Sequence, residues 1–259
     1  MTVLVATALR KNFGGVAAVD GVSFSVAAGD LVALIGPNGA GKSTCFNLLN
    51  GQLKPDSGHV QMNGRDITGL PPARLASAGM ARSFQVAAIF VSMTVRENVQ
   101  TAIAARAGKI WNLWRDAARQ HIDDADKLLA AVGLATLADT AAGLLAYGDR
   151  KRLEFAIALA GQPTLLLMDE PTAGMAPDAR AALMQLVQAI AKRRNIAVLF
   201  TEHDMHSVFA VADRILVLHQ GKLIAEGDAA AIQANPQVRS IYLGSPVYLG
   251  NPVYLGNRA

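Results

Sequence analysis

A glycine-rich loop directly after a short apolar run constrains this chain more than any other feature. Residues 31–35 read Leu-Val-Ala-Leu-Ile, which is typical of a strand buried on both faces of a sheet. Residues 36–44 read Gly-Pro-Asn-Gly-Ala-Gly-Lys-Ser-Thr, and apolar residues at helical spacing continue to residue 53. A strand, a glycine-rich turn and a helix in this order predict a loop that cradles phosphate groups.

The residue types in the loop suit that chemistry. Its glycines allow successive backbone N–H groups to point at phosphates, and the helix that follows adds the positive end of its dipole. Lys42 supplies a cation, and the Ser43 hydroxyl can ligate Mg²⁺. A purely structural turn is the alternative, and the flanking strand and helix argue against it. The predicted nucleotide-binding residues are Gly36, Pro37, Asn38, Gly39, Ala40, Gly41, Lys42, Ser43 and Thr44.

A second apolar run, residues 165–168, leads into an acidic pair. At the end of a strand, the carboxylate of Asp169 can reach Mg²⁺, and that of Glu170 can polarise an attacking water as a general base. An Asp-Glu-Pro sequence also suits an ordinary exit from a strand into a turn. After a phosphate loop, however, it predicts that the chain hydrolyses ATP.

Composition narrows the class of protein. The chain has 259 residues, of which 52% are hydrophobic, so it can bury a substantial core and is not a disordered segment. Lys and Arg number 24 against 20 Asp and Glu, and they are spread along the chain rather than clustered. This distribution argues against a nucleic-acid surface and suits a polyanionic ligand or an anionic membrane.

Cysteine usage and hydropathy indicate where the chain works. Cys45 is the one cysteine, so an intramolecular disulfide is excluded and a reducing, cytoplasmic location is expected. No apolar stretch approaches the roughly 18 residues of a membrane span, and the N-terminus lacks the pattern of a secretion signal. We expect a soluble protein that partners hold at a membrane.

The remaining pattern predicts an α/β fold with a helical insertion. Residues 94–142 are Ala-rich and helical in pattern, and the inserted subdomain is expected to span about residues 94–160. An amphipathic helix at 177–193 lies between apolar runs and makes a βαβ unit. Predicted strands and hairpins cover 3–9, 22–26, 58–67, 165–168, 197–200, and 215–218 with 223–225, which turn at 220–221.

The C-terminal tail carries a six-residue repeat built on Tyr-Leu-Gly and Pro-Val. Glycine in every unit and proline in the first two exclude a continuing helix. We therefore expect an ATPase domain at residues 1–244 and a poorly ordered extension at 245–259, rather than a binding function for the tail.

In their order along the chain, these motifs resemble those of the ATP-binding subunit of ABC transporters, from about residue 7 to residue 244. The phosphate loop corresponds to the Walker A motif, and residues 165–170 correspond to the Walker B motif. The resemblance implies a P-loop NTPase core of the ABC ATPase type, with an antiparallel β subdomain and an inserted helical subdomain.

The resemblance adds three further site residues. Gln85 resembles the Q-loop glutamine that touches Mg²⁺ and senses the membrane partner, and His203 matches the switch histidine. Phe13 lies where the family places the aromatic ring that stacks on adenine, and residues 173–178 match the D-loop. Each of these residue types alone is more often an ordinary turn or core residue. A zinc pair formed by His203 and His206 would lack a third ligand nearby.

Residues 145–149, Leu-Ala-Tyr-Gly-Asp, resemble the family signature, usually Leu-Ser-Gly-Gly-Gln. The resemblance assigns Ala146, Tyr147, Gly148 and Asp149 to the nucleotide held by the opposite subunit. Ala146 replaces the serine that donates to the γ-phosphate, and Asp149 replaces the final glutamine. We expect the Gly148 N–H and the helix start to face the phosphate still. We expect the Asp149 carboxylate to cap that helix, and it would also repel a phosphate placed too close.

The resemblance also implies a mechanism and partners. Two subunits, identical or different, close head to tail around two ATP molecules and drive transmembrane permease subunits, with no nucleic acid involved. The place implied is the cytoplasmic face of the inner membrane, as a peripheral subunit. The implied catalytic residues are Glu170, His203, Lys42 and Gln85, and the implied Mg²⁺ ligands are Ser43, Gln85 and Asp169.

The finer resemblance is to the ATPase of branched-chain amino-acid importers, and it rests on the sequences at residues 13–20, 82–85 with 93–98, 145–148, and 235–236 followed by 241–244. A lipopolysaccharide-export ATPase shares most of these motifs and is the alternative. A soluble ABC protein of repair or translation usually has two cassettes or a long coiled coil, and a small-molecule kinase would leave the signature and His203 unexplained. Trp111 and Trp114 either face the membrane subunit or anchor the helical subdomain.

Overall fold

The computed structural model describes residues 1–83, 89–106 and 121–242. Gln85, Trp111, Trp114 and the repeat tail lie outside these ranges, so the expectations for them stay predictions. Along the described chain the elements are β1 (Thr2–Phe13), β2 (Val16–Ala27), β3 (Leu31–Ile35), α1 (Lys42–Leu49), β4 (Ser57–Met62), β5 (Arg65–Asp66), α2 (Pro72–Ser77), β6 (Met80–Ser83), α3 (Val95–Arg106), α4 (Ile122–Ala131), α5 (Tyr147–Ala160), β7 (Leu165–Asp169), α6 (Pro177–Arg194), β8 (Ala197–Thr201), α7 (Met205–Val211), β9 (Arg214–His219), β10 (Lys222–Gly227), α8 (Ala229–Ala234) and α9 (Pro236–Tyr242).

The first strands form an antiparallel sheet in the order β2-β1-β4-β5. β1 and β2 are a long hairpin that turns at Gly14, whose φ is +58°. They are longer than the predicted runs at 3–9 and 22–26, because pairing across register shifts carries both strands through polar residues. The hairpin predicted at 58–67 is confirmed as β4 and β5.

The larger sheet has the order β10-β9-β3-β8-β7-β6. Neighbours from β6 to β9 are parallel, and β10 is an antiparallel edge strand. Every residue of β3, β7 and β8 is buried, as expected for strands covered on both faces. The carboxyl ends of parallel strands meet at one edge, so residues 36, 169–170 and 201–203 are gathered there.

Alternation along β3 divides the core in two. Val32 and Leu34 pack with the antiparallel sheet and α1. Leu31, Ala33 and Ile35 pack on the opposite face with side chains of the helices from α3 to α7. Helices α3, α4 and α5 all lie between β6 and β7 in the chain, which is where the sequence predicts a helical insertion. The β7-α6-β8 unit is also confirmed.

Three details differ from the sequence predictions or extend them. Helix α1 ends at Leu49 rather than at residue 53, because Gly51 adopts a φ of +74° and packs against the Leu70 carbonyl. Strand β6 was not predicted: it has four residues and lies at the sheet edge. Across the described ranges, no helix is both long and apolar enough to cross a membrane.

Candidate active site

The phosphate loop runs from β3 into α1 and is tightly packed where its glycines require it. A Cβ atom on Gly36 would lie 2.2 Å from the Leu218 carbonyl oxygen, and one on Gly41 would lie 2.1 Å from that of Ala18. Gly41 also has a φ of +103°. Gly39, by contrast, would place its Cβ in open space. The loop is therefore held by its ends and leaves its middle free to face a ligand.

Lys42 lies at the centre of this edge and is 8% exposed. Its Nζ donates to the carbonyl oxygens of Gly36, at 2.6 Å, and Pro37, at 3.1 Å. Burial lowers the pKa of Lys42, and the carboxylates of Glu170 and Asp169 oppose part of that decrease. A buried ammonium beside two carboxylates is placed to neutralise the added charge of a polyphosphate.

Asp169 is the last residue of β7, and each of its two carboxylate oxygens contacts a side chain. Its Oδ1 accepts from the Thr201 hydroxyl at 2.7 Å, and its Oδ2 lies 3.5 Å from an Arg82 guanidinium nitrogen. Sequence reasoning missed both partners. Thr201 pairs with Asp169 in the β7–β8 register, so a correct alignment of the two strands would have placed it opposite. Arg82 lies on the unpredicted strand β6.

Glu170 follows Asp169 in a left-handed backbone conformation, with a φ of +49°. Its N–H donates to the carbonyl and hydroxyl oxygens of Thr201, at 3.2 and 3.0 Å. Its Oε1 lies 2.6 Å from the Nε2 of His203. The structure thus joins two residues that sequence reasoning had selected separately. Their contact holds a candidate base at the carboxyl edge of the sheet.

The buried carboxylate of Glu202 ties together the two segments that carry this pair. Its Oε1 accepts from the Thr172 N–H at 3.0 Å and from the Thr172 hydroxyl at 2.6 Å. Its Oε2 accepts from the backbone N–H of His203 at 3.2 Å. Glu202 was also missed, because a glutamate between a strand and a histidine gives no local sign of such bonding.

Phe13 lies at the tip of the β1–β2 hairpin, with half of its surface exposed. The Lys11 ammonium lies 5.8 Å from the centre of its ring. The same hairpin reaches the phosphate loop, since the Ala18 carbonyl packs on Gly41. An exposed ring on an element anchored to the loop is compatible with the predicted stacking on a base, which stays a prediction.

The signature residues form the start of α5. Ala146 is the N-cap residue and has no capping side chain, and Tyr147 and Gly148 open the helix. The expectation that Asp149 caps this helix is wrong: its carboxylate lies in the first turn and is 3.8 Å from the Arg152 guanidinium. There it complements the helix dipole without bonding the end. The Tyr147 hydroxyl bonds the loop after Glu170, at the carbonyl oxygen of Ala173.

The donor set fits Mg²⁺ better than zinc. The Ser43 hydroxyl is exposed at the second residue of α1, and Asp169 offers a carboxylate at the same sheet edge. Mg²⁺ takes one or two such oxygens and completes its shell with phosphates and water. In the portion of the chain that is described, no group of three or more His, Cys, Asp or Glu side chains could hold a metal.

Comparison with known sequences agrees with this geometry. The sequence profile described as ABC transporter matches residues 19–173, more than half of the chain. A second profile, described as branched-chain amino acid ATP-binding cassette transporter, matches residues 222–248. The chain is 39% identical over 248 residues to the high-affinity branched-chain amino acid transport ATP-binding protein LivG of Salmonella typhimurium, and the alignment covers 93% of this chain and 97% of LivG. It is 37% identical to the corresponding BraF of Pseudomonas aeruginosa, with 93% and 98% covered.

Solved structures show the same fold. An ATP-binding cassette of an ABC transporter in its ADP conformation superposes with a TM-score of 0.84 at 35% identity, covering 95% of this chain and all of the other. A nucleotide-free ATP-binding cassette gives a TM-score of 0.81 with the same identity and coverage. The chain belongs to the ABC transporter family, and its fold is that of the family's ATP-binding cassette.

Proposed function

We propose that this chain is the ATP-hydrolysing, energy-coupling subunit of an ABC importer for branched-chain or related amino acids. One observation carries the catalytic part of this proposal. Glu170 Oε1 lies 2.6 Å from His203 Nε2 at the same sheet edge as the buried Lys42. A carboxylate that can position water and a cation that neutralises phosphate charge, placed around one phosphate-binding loop, suit phosphoryl transfer to water.

Each residue has a separate role in this proposal. The backbone N–H groups of the loop and the Lys42 ammonium bind the phosphates, and Lys42 exchanges its two carbonyl contacts for phosphate oxygens. Glu170 orients the attacking water and accepts its proton. His203 contacts the Glu170 carboxylate through Nε2 and leaves its other ring nitrogen, Nδ1, for a contact with the γ-phosphate.

The metal and the glutamine enter in supporting roles. Ser43 and Asp169 would hold Mg²⁺, with Gln85 as a third contact, and the cation supplies neutralisation of the phosphate charge. Thr201 keeps the Asp169 carboxylate aimed by donating to its Oδ1 at 2.7 Å. Asp169 is therefore preorganised by its neighbouring strand rather than by the ligand.

The signature supports a two-subunit arrangement. Ala146 and Tyr147 are exposed at the open N-terminal end of α5, where unpaired N–H groups and the helix dipole favour a phosphate. The phosphate loop and this helix end would complete each other across a head-to-tail pair of chains. Permease subunits at the cytoplasmic face of the inner membrane would then receive the motion, with this chain as a peripheral partner.

The cargo is inferred from the relatives. LivG and BraF are high-affinity branched-chain amino acid transport ATP-binding proteins, and the branched-chain profile matches this chain at residues 222–248. That second match favours an amino-acid importer over a lipopolysaccharide exporter. The cargo itself is expected to contact only the other subunits, so this chain's geometry does not select it.

A substitution of Glu170 tests the hydrolytic role. In the complex assembled with its permease subunits, Glu170→Gln is expected to lower ATP turnover by roughly 100-fold or more, the range for loss of a general base. Nucleotide binding, followed by equilibrium titration, should remain. Unchanged turnover in the purified complex would remove Glu170 from the role of base.

Transport in reconstituted vesicles tests the cargo. Leucine, isoleucine and valine uptake should require ATP and the wild-type chain, and the Glu170→Gln complex provides the matched control. ATP-dependent uptake of none of these, with turnover intact, would refute the assignment of cargo and leave the hydrolytic role standing.

A further inference from the structure

The side chain of Tyr147 bridges two parts of the site that are distant in sequence. Its hydroxyl donates to the carbonyl oxygen of Ala173 at 2.8 Å. Tyr147 is the first residue of α5, and Ala173 lies three residues after Glu170. The bond therefore connects the signature directly to the loop that carries the candidate base of the same chain. The family pattern has glycine at position 147, and glycine has no side chain that could make this bond.

The tyrosine ring is positioned as well as the hydroxyl. A Cβ atom built on Gly174, which has a φ of +77°, would lie 3.6 to 3.8 Å from the edge and hydroxyl of the ring. The Lys151 ammonium lies 5.6 Å from the ring centre, one helical turn along α5. Lys151 is itself buried and paired with Glu154 at 3.1 Å, so the ring rests on an ordered cation.

The loop at 170–175 begins at Glu170 and is a compact turn held by its own backbone hydrogen bonds. The Ala173 N–H donates to the Glu170 carbonyl at 3.1 Å, and the Met175 N–H donates to that of Thr172 at 3.0 Å. Because of these bonds, a shift of Ala173 moves the backbone of Glu170, which already sits at an uncommon φ.

Other side chains hold this loop from the side of His203. Glu202 binds Thr172, and an Arg180 guanidinium nitrogen donates to the Met175 carbonyl at 3.2 Å while another pairs with Asp204 at 3.1 Å. Tyr147 bonds the same loop from α5. The loop is thus hydrogen bonded both to the side chains that surround the switch histidine and to the helix that carries the signature.

We propose that Tyr147 is a positioning residue for hydrolysis, which holds the loop after Glu170 in register with the start of α5. A phosphate gripped by the N-terminal end of α5 then sets the position of Glu170 in the same chain. This inference rests on the proposed hydrolytic role of Glu170. The positioning role of Tyr147 is a function that the usual signature, with glycine at this position, does not have.

Removal of the hydroxyl alone tests the proposal. In the assembled complex, Tyr147→Phe should lower kcat by about 5- to 10-fold, as expected for one lost hydrogen bond, and leave KM for ATP within about twofold. In the isolated chain, the bonded amides of Ala173 and Met175 should exchange with deuterium about fivefold faster. Tyr147→Ala, which also removes the ring, should exceed both effects.

The matched control is Ser240→Ala, which also deletes an exposed hydroxyl that donates to a carbonyl, that of Gln237 at 2.8 Å on α9. It should change neither kcat nor exchange at 173–175. Unchanged kcat in Tyr147→Phe overturns the proposal, and a raised KM beside that unchanged kcat would mean that Tyr147 acts by touching nucleotide.

Failure of the proposed function gives a different result. If Glu170→Gln retains full turnover, the hydrolytic role fails regardless of Tyr147. Deuterium exchange is independent of turnover, and wild-type exchange at Ala173 and Met175 in Tyr147→Phe would show that the hydroxyl does not hold the loop.

Discussion

The phosphate loop and the signature end of α5 are built in opposite ways. The loop lies between buried elements. A Cβ atom added to Gly36 or Gly41 would lie only about 2 Å from a backbone oxygen of a neighbouring segment. The start of α5 is exposed at Ala146 and Tyr147, and its N-cap residue has no capping side chain.

This difference explains why one motif matches its family pattern and the other departs from it. Gly36 and Gly41 are required by the chain's own packing, so a substitution at either position costs folding free energy as well as binding. The exposed end of α5 meets few constraints from its own chain, and its sequence can vary as long as helix N–H groups remain accessible. Tyr147 shows that such a variation can bring a new internal contact.

Gly41→Ala should have the largest effect and tests the packing of the loop. The added Cβ would meet the Ala18 oxygen at 2.1 Å on a backbone of positive φ, so we expect a loss of about 3 kcal/mol or more in unfolding free energy and loss of ATP binding. Urea unfolding and nucleotide titration measure these.

Gly39→Ala is the matched control for that change. It also has positive φ, at +79°, but no atom lies within 4 Å of its Cβ, so only the backbone strain of roughly 1–2 kcal/mol is expected. Equal losses in the two variants would show that close packing does not shape the loop.

Ala146→Ser should have a moderate effect and tests the open helix end. Ala146 has extended backbone angles suited to an N-cap, so a serine hydroxyl can bond an N–H of the first turn and raise unfolding free energy by about 1 kcal/mol. It also restores the donor that the family pattern places near the γ-phosphate, so turnover in the complex should rise by a few fold. A fall in turnover, measured with a coupled ATPase assay, would mean that this end of α5 does not face phosphate.

Labelling of thiols is expected to perturb the protein least, and it compares the packing of α1 behind the phosphate loop with the exposed start of α5. Burial raises the pKa of Cys45, in α1 behind the loop, to about 12, so its thiol stays protonated near neutral pH and should not react with iodoacetamide in the folded chain. A thiol introduced by Ala146→Cys lies at an exposed helix N-terminus and should react readily. Labelling of Cys45 at a comparable rate, read by mass spectrometry, would contradict the closed packing of α1.

The sequence alone was sufficient for what short-range sterics and burial dictate. The continuously apolar strand β3, the glycines after it and the helix that follows leave few alternatives, so the loop was predicted residue by residue. Asp169 and Glu170 followed from their place at the end of β7. Edge strand β6 was missed because it is short and of mixed polarity, and such a strand is recognised only by its partner.

Contacts between distant segments were beyond sequence reasoning. Residues 147 and 173 are 26 positions apart and carry no shared pattern, so the Tyr147–Ala173 bond follows from the packing of α5 on the loop. Glu202 likewise bonds Thr172 from 30 positions away. These long-range bonds, rather than the motifs, determine how the site is held.

A mixing experiment tests most directly the central claim that the phosphate loop and the signature complete each other between two chains. Lys42→Ala inactivates the phosphate loop, and Gly148→Glu blocks the signature. A Cβ atom at position 148 meets only Met175, at an ordinary 3.8 Å, so the second substitution should leave the fold intact. Each variant complex alone should be inactive. In an equal mixture, half of the dimers are mixed and each has one intact site, so about a quarter of wild-type turnover should return. A mixture no more active than its components would contradict the account.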